Sequence, residues 1–261
     1  MIIDCHQHVV LPVADQLALM DEAGIDKAVL LSTLPHVERA TDLESFRAEM
    51  AVLGRVLAGE SSGRQVPSQE LAASVAAGGG RFVAFGKVPV GLSQQDTEKA
   101  LQEEVIDPGY AGVGELTFAG DGAAALESVF RAAADAPGGP LPLLVHGFLP
   151  QTLADLRTTA DLAARHPRVP VIIGVLGGLH WLETIDLLKE VPNLYLDLGS
   201  SFVSLAPRLA VAEVPERCLF GSNTPFADAY TNRVLVERVI PDAGVRRRVM
   251  GENLAELLGI A

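Results

Sequence analysis

The chain opens with the stretch MIIDCHQHVV, residues Met1–Val10, an apolar run that carries two histidines two positions apart. Side chains alternate between the two faces of a β-strand, so His6 and His8 are expected on the same face. Two imidazoles with this spacing can bind one metal ion, and neutral imidazole is a common ligand of zinc. The stretch therefore predicts a strand that carries part of a metal site.

The same alternation places the neighbouring side chains. Asp4 shares the face of the histidines but lies deeper in the strand, where we expect it to support a ligand or fix a loop. Cys5 and Gln7 are expected on the opposite face. Both Cys5 and Cys218 are expected to face the helix layer as small packing residues.

The composition is typical of a soluble globular domain. The 261 residues include 49% hydrophobic and 20% charged residues, which suffices for a large buried core. A formal net charge of −13 makes nucleic acid and anionic membranes poor partners. We find no signal peptide and no apolar run of the about 20 residues that cross a membrane. Two cysteines make no disulfide framework, so we expect a cytoplasmic protein.

Apolar segments that suit buried parallel strands alternate along the chain with segments of helical periodicity. The predicted strands are Met1–Val10, Lys27–Thr33, Arg81–Val88, Ala111–Phe118, Pro142–Phe148, Val169–Leu176, Asn193–Leu198 and Cys218–Ser222. Eight strands, each followed by helical sequence, predict a single-domain, distorted (β/α)8 TIM barrel over residues 1–261. A doubly wound open sheet would need a glycine-rich turn after an early strand, and the sequence has none there.

One connection is longer than the others. Residues 35–80 hold a helix candidate at Leu43–Ala58, a stretch rich in Gly and Ser at Gly59–Pro67, and a further helix at Ser68–Ala77. We expect this insertion to lie over the active site, where strand-end loops determine specificity.

In a TIM barrel the active site forms at the C-terminal ends of the strands. Five of the six histidines fall at that end of the predicted strands: His6, His8, His36, His146 and His180. This clustering favours a functional site over scattered surface histidines. For His36 and His180 an exposed loop position without function stays an alternative.

Glu115 lies inside an apolar strand, where an unpaired carboxylate is costly to bury. A metal ion near His6 and His8 would balance its charge, and so would Lys87 at the end of the third strand. Asp197 on the seventh strand is a second candidate of the same type.

Taken together, these residues resemble the amidohydrolase superfamily. Within it they are most similar to the amidohydrolase-2 group, which includes enzymes like aminocarboxymuconate semialdehyde decarboxylase. The matching segments are Ile3–His8, Met20–Val29, Leu144–His146, Ile173–Gly178, Leu219–Phe226 and Glu252–Gly259. The resemblance implies that His6, His8 and His146 bind metal, with Glu115 as in members that carry a strand-four carboxylate.

Two positions depart from the family pattern. The strand-six histidine falls on Val175, and the strand-eight aspartate falls on Asn223. Valine can neither bind metal nor polarise a carbonyl, and an amide accepts no proton at neutral pH. Asn223 could still donate a hydrogen bond to an oxyanion. The missing base could come from Glu115, His180 or His36.

The resemblance implies a hydrolase that acts on a small polar or carboxylated molecule through a metal-activated water. Its cofactor would be a divalent metal, with zinc expected. The catalytic candidates are Asn223, His180 and Glu115. Two alternatives stay open: a metal-independent lactonase or decarboxylase on the same barrel, and a degenerate barrel that binds a ligand without catalysis. The expected partner is a small-molecule substrate, and a homodimer is left open.

Overall fold

The computed structural model describes residues 1–58 and 65–260. Within these ranges a parallel sheet holds eight strands in chain order. The strands are β1 Ile3–His8, β2 Lys27–Leu31, β3 Phe82–Gly86, β4 Gly112–Leu116, β5 Leu143–Val145, β6 Val171–Ile173, β7 Leu194–Asp197 and β8 Cys218–Leu219.

Backbone hydrogen bonds join the last strand to the first. The amide of Cys5 donates to the carbonyl of Phe220 at 2.8 Å, and the amide of Asn223 donates to the carbonyl of His6 at 2.8 Å. Because both edges of the sheet are paired, the sheet closes into a TIM barrel. The predicted (β/α)8 fold of a single domain is confirmed.

Helices follow the strands around the outside. They are α1 Val13–Ala23, α2 Leu43–Leu57, α3 Gln65–Ala77, α4 Gln94–Leu101, α5 Glu127–Ala134, α6 Leu153–Arg165, α7 Trp181–Glu190, α8 Leu205–Glu213, α9 Ala229–Val239, α10 Ala243–Arg247 and α11 Asn253–Leu258. Helix α1 ends at Gly24, which takes the left-handed φ of 61° and gives the helix the predicted C-terminal cap. No helix in the described ranges has the length and apolarity that a membrane crossing requires.

The insertion between β2 and β3 contains α2 and α3. A capping box of Asp42 and Ser45 begins α2, because each side chain satisfies the backbone amide of the other residue. Helix α3 begins at Gln65, three residues before the predicted start at Ser68. Of the predicted Gly59–Pro67 stretch, residues 59–64 lie outside the described part of the chain.

Side chains of the strands pack in two separate layers. In β2, Ala28 and Leu30 belong to the outer layer between barrel and helices, while Val29 and Leu31 belong to the barrel interior. The interior cluster is Ile3, Cys5, Val29, Leu31, Phe85, Leu144, Ile172, Leu219 and Leu254. Leu254 enters it from α11, so this helix covers the end of the barrel at which β1 begins.

An irregularity in β1 changes the expected alternation. Asp4 pairs with Ala28 and Gln7 with Leu30, so three steps along β1 match two steps along β2. One extra residue in a strand reverses the facing of the side chains that follow it. The interior therefore receives Cys5 before the irregularity and His6 after it.

The predicted facing of two residues is wrong for this reason. The Asp4 carboxylate accepts a hydrogen bond from Nε2 of Gln7 at 2.8 Å, so Asp4 shares a side with Gln7 rather than with the histidines. Cys5 packs in the barrel interior and not against the helices, whereas Cys218 packs in the outer layer as predicted.

We predict that Leu254→Ala lowers the free energy of unfolding by about 2–4 kcal/mol, because it leaves a cavity in the barrel interior. The matched control is Leu19→Ala on α1, where the side chain is 38% exposed, and we expect a change below about 0.5 kcal/mol there. Urea denaturation followed by circular dichroism measures both. Equal losses in the two variants would contradict the assignment of Leu254 to the core.

Candidate active site

Two imidazoles and one carboxylate converge at the C-terminal end of the barrel. Nε2 of His6 lies 3.2 Å from Nε2 of His8. Oε1 of Glu115 lies 3.9 Å from Nε2 of His6, and Oε2 lies 3.8 Å from Nε2 of His8. All three residues are buried. Their ligand atoms lie within 4.8 Å of one another, so among the described residues they form a group that could hold a metal ion.

The donor set fits a divalent cation. Zinc binds imidazole nitrogen at about 2.0–2.1 Å, so two nitrogens on one tetrahedral ion lie about 3.3 Å apart. The separation of 3.2 Å between the two Nε2 atoms matches this value. Since two imidazole nitrogens and one carboxylate suit zinc as well as manganese, the donors do not select one metal.

Asp197 at the end of β7 fixes the orientation of His6. Its Oδ2 lies 2.8 Å from Nδ1 of His6, and both side chains are fully buried. A proton on Nδ1 is held by this contact, which leaves the lone pair of Nε2 free for a metal ion. The same oxygen accepts the amide of Val175 at 2.9 Å, and Oδ1 accepts the amide of Gly199 at 2.7 Å.

Burial and neighbouring charges shift the pKa values of His6, His8 and Asp4. Burial opposes a charge on His6, but the hydrogen bond and the charge of Asp197, with Glu115 and Asp4, raise its pKa to about 9. Burial and the neighbouring charge of His6 lower the pKa of His8 to about 4. Burial raises the pKa of Asp4 to about 6, although several hydrogen bonds to its carboxylate act to lower this pKa. The surroundings of His6 thus favour positive charge, which a cation bound at Nε2 would supply in place of the second ring proton.

His146 follows β5 and is bound to Glu115 rather than placed among the three convergent donors. Its Nδ1 lies 2.6 Å from Oε1 of Glu115, and its Nε2 lies 3.2 Å from the carbonyl of Leu149. Burial opposes ionisation of Glu115, but the charge and hydrogen bond of His146, with His6 and His8, hold the pKa of this carboxyl well below its usual range. Glu115 therefore connects His146 to the metal-capable pair.

The two departures from the family pattern lie in the same cavity as these residues. Val175 has a φ of 51°, a left-handed conformation that is strained for a β-branched residue. Its side chain offers no polar atom. Asn223 donates from Nδ2 to the hydroxyl of Ser200 at 3.0 Å, which fixes its side-chain amide at the rim of the cavity.

The cavity has a volume of about 330 Å³ and mostly apolar walls. Its polar lining includes His8, Glu115, His146, Lys87 and Asn223. Apolar walls come from Phe46, Met50 and Leu53 of α2, and from Phe148, Phe202 and Phe226. Side chains of α2 thus form part of the cavity wall, which is consistent with the expectation that the insertion lies over the active site.

His180 lies apart from this cavity. It immediately precedes α7, and it is absent from the lining formed by the described residues. Its predicted role as a catalytic group therefore has no geometric support, and the role stays a prediction.

His36 is buried outside the cavity, in a cluster of carboxylates. Its Nδ1 lies 2.9 Å from Glu38 and its Nε2 lies 3.2 Å from Glu70 of α3, while its backbone amide donates to Glu49 of α2 at 2.8 Å. The hydrogen bond to Glu38 raises the pKa of His36 despite its burial. A protonated ring satisfies both carboxylates, so His36 holds α2 and α3 to the end of β2 rather than serving as a base in the cavity.

Sequence reasoning missed the apolar cavity wall. Helix α2 carries Phe46, Met50 and Leu53 one turn apart, yet none of its residues is buried. The only sequence feature that could indicate this wall is the apolar stripe on a helix that follows the end of a strand. It is equally typical of ordinary core packing, so the pattern alone could not assign it to a cavity.

The model of the Amidohydrolase family, Amidohydro_2, matches residues 3–260. The chain therefore belongs to the amidohydrolase-2 family, as the resemblance predicts. No match is found among the curated proteins.

Solved structures share the fold across the whole chain. A 2,6-dihydroxybenzoate decarboxylase from Rhizobium is 18% identical with a TM-score of 0.63, covering 99% of this chain and 98% of that one. A dihydroxybenzoic acid decarboxylase from Polaromonas sp. JS666, with bound manganese and the inhibitor 2-nitroresorcinol, is 17% identical with a TM-score of 0.65, covering 99% and 96%. A probable 2-pyrone-4,6-dicarboxylic acid hydrolase from Acinetobacter baumannii, with citric acid bound, is 12% identical with a TM-score of 0.59, covering 99% of both chains. At these identities the likeness establishes the fold alone.

We predict that Asp197→Asn weakens the binding of Mn²⁺ by about 10–100-fold, because the carboxylate that orients His6 is lost. Isothermal titration of the metal-free protein measures the dissociation constant. The matched control is Asp186→Asn at an exposed position of α7, which should leave the constant unchanged. An Asp197→Asn protein that binds Mn²⁺ as tightly as the wild type would contradict the orienting role.

We predict that His36→Gln destabilises the protein most in mildly acidic solution. The folded pKa of His36 is raised, so its stabilisation is fully present below the unfolded value near 6.5 and is lost as the pH rises through the folded pKa. We expect a loss of about 1–3 kcal/mol at low pH, from hydrogen bonds to charged groups. The free energy of unfolding at successive pH values measures the difference between wild type and variant.

Four charged groups contribute to this cluster: Glu38, Arg39, Glu49 and Glu70. The variant Glu70→Gln removes one carboxylate and should reduce the pH dependence without abolishing it. A His36→Gln difference that grows toward alkaline pH would show that the ring is held in its neutral form.

Proposed function

We propose that this chain is a divalent-metal-dependent decarboxylase. Its substrate would be a small carboxylate on an aromatic or unsaturated frame. The observation that carries the proposal is the pair of Glu115 and His146, 2.6 Å apart in the cavity that His8 also lines. Decarboxylase structures that share the fold agree with this choice.

The proton balance of decarboxylation suits His146. The bond between the carboxyl group and its carbon breaks, CO₂ leaves, and the electron pair stays on the carbon that must then take a proton. Glu115 and the carbonyl of Leu149 are both acceptors, so His146 satisfies both when each ring nitrogen carries a proton. It can therefore supply the proton and regain one from solvent at the mouth of the cavity.

The walls of the cavity suit such a substrate. A flat unsaturated ring delocalises the electron pair and packs well against aromatic side chains such as Phe148, Phe202 and Phe226. Lys87 lines the same cavity, and its positive charge favours an anionic substrate. The apolar walls also exclude water from the reacting carbon.

His6, His8 and Glu115 would hold the metal ion, whether zinc or manganese. When bound, the ion supplies Lewis-acid polarisation of a substrate oxygen. Two buried free thiols, Cys5 and Cys218, support the proposal that the protein works in the reducing cytoplasm.

A second candidate is the hydrolysis of a small carboxylated lactone, ester or amide. The shared fold of the probable 2-pyrone-4,6-dicarboxylic acid hydrolase favours it, and Asn223 could donate a hydrogen bond to the developing oxyanion. Hydrolysis needs a group that takes a proton from water. Val175 and Asn223 cannot do so, His36 and His180 do not line the cavity, and the lowered pKa of Glu115 makes it a weak base. We therefore place the decarboxylase first.

We predict that His146→Asn lowers decarboxylase turnover by about 10²–10⁴-fold, because the proton donor is lost. Release of CO₂ from a panel of aryl carboxylates, including 2,6-dihydroxybenzoate, measures turnover by the Mn²⁺-loaded protein. We expect Mn²⁺ still to bind, with an affinity lowered by at most about 10–100-fold, since His146 stands outside the three convergent donors and contacts only Glu115 among them. The matched control is His166→Asn at the opposite end of the barrel.

Two results would contradict this assignment. Unchanged turnover in His146→Asn would remove the proposed proton donor. Loss of Mn²⁺ binding in this variant would make His146 a metal ligand, as the family resemblance implies. Turnover of a lactone panel without CO₂ release would favour the hydrolase instead.

A further inference from the structure

A second cavity adjoins the active-site cavity and has no part in the chemistry described above. We call it the distal pocket, and its own apolar walls are formed by Val88, Pro89, Val90, Leu92 and Phe118. Its volume is about 330 Å³, equal to that of the active-site cavity. This space is large enough for a hydrocarbon group of several carbons.

The two cavities share a common wall. Six residues line both of them: Ser32, Thr33, Leu34, Val56, Lys87 and Thr117. Because the same side chains line both spaces, the two cavities lie directly beside each other. A molecule bound beside Glu115 thus has the distal pocket as its immediate neighbour.

The chemistry of the distal pocket fits an apolar group. Its two polar side chains away from the shared wall, Ser68 and Glu104, bind each other at 2.8 Å. The remaining surface is mainly aliphatic and aromatic carbon, which gains free energy when it is removed from water. Lys87 lines both cavities, and its positive charge favours the anionic part of a ligand.

We propose that the distal pocket is a substrate subsite that receives an alkyl or aryl extension of the carboxylate bound in the active-site cavity. The proposal rests on the proposed function, because it takes the anionic head of the substrate to lie between Lys87 and the metal-capable residues. It assigns the enzyme a substrate with an apolar extension, in place of an unsubstituted small ring.

The position of the distal pocket beside the active-site cavity favours this occupant. The hydrogen-bonding side chains of the pocket lie mainly on the shared wall, at Ser32, Thr33, Lys87 and Thr117, whereas Ser68 and Glu104 bind each other. An extension of the substrate gains from burial of its carbon surface while its carboxylate stays near Lys87. The pocket would then determine which carboxylates bind well without touching the reacting carbon.

The test compares benzoate with 4-pentylbenzoate on the full-length, Mn²⁺-loaded protein. Isothermal titration measures both dissociation constants. We expect 4-pentylbenzoate to bind at least tenfold more tightly than benzoate, because the pentyl chain enters the distal pocket. Equal affinities, or no measurable binding of 4-pentylbenzoate, would overturn the proposal.

Two variants enlarge residues that line the pocket. Val90→Phe enlarges a half-buried wall residue, and Ala125→Phe enlarges an exposed residue at the pocket that should tolerate the change without loss of folding. Each is expected to remove most of the tenfold gain and to leave the affinity for benzoate within about twofold of wild type. The matched control Val239→Phe lies on α9, outside both cavities, and should keep the gain.

The outcomes separate this proposal from the proposed function. A pentyl gain that survives in both pocket variants would overturn the subsite even if decarboxylation is observed. A gain that is lost in the pocket variants, in a protein that releases no CO₂ from any carboxylate, would support the subsite and overturn the decarboxylase.

Discussion

The contact between Asp197 and His6 is the constraint on which the site depends. It joins the ends of β7 and β1 at 2.8 Å inside a closed barrel, with both groups fully buried. A carboxylate in this position holds the proton of Nδ1 and directs Nε2 toward His8. The oxygen atoms of Asp197 also accept two backbone amides from the loops after β6 and β7. One side chain therefore positions a metal-capable imidazole and two of the loops around it.

The site keeps three residues that could hold a cation and lacks, at Val175 and Asn223, a group that accepts a proton from water. His6, His8 and Glu115 converge, while Val175 and Asn223 occupy the positions of the missing histidine and aspartate. The nearest group with proton chemistry is His146, held by Glu115. A reaction that requires delivery of a proton to carbon suits this arrangement better than one that begins with deprotonation of water.

The sequence predicted the barrel well because eight apolar runs, each followed by a helix, leave few other folds. It also placed the histidines at one end of the strands. The extra residue in β1 could not be predicted, because a strand with one more residue has the same apolar pattern. For this reason the predicted facing of Cys5 and Asp4 is wrong, although His6 and His8 do lie on the same side as predicted.

Contacts between residues far apart in the chain could not be predicted from the sequence, for a related reason. Glu115 was recognised as a carboxylate in need of a partner, but its distance to His146 depends on the tilt and stagger of β4 and β5. Asp197 was likewise recognised only as a buried carboxylate, since nothing along the chain links it to His6. The fold fixes these pairs, and the residue types then determine what chemistry they permit.

We propose that His6 and His8 bind one divalent ion together. Pulsed electron paramagnetic resonance of the protein loaded with one equivalent of Mn²⁺ tests it most directly, because coordinated imidazole nitrogens give resolved couplings. We expect one bound Mn²⁺ per chain with couplings from two imidazoles, reduced to one in His8→Ala. A spectrum without imidazole couplings, or one unchanged in His8→Ala, would contradict it.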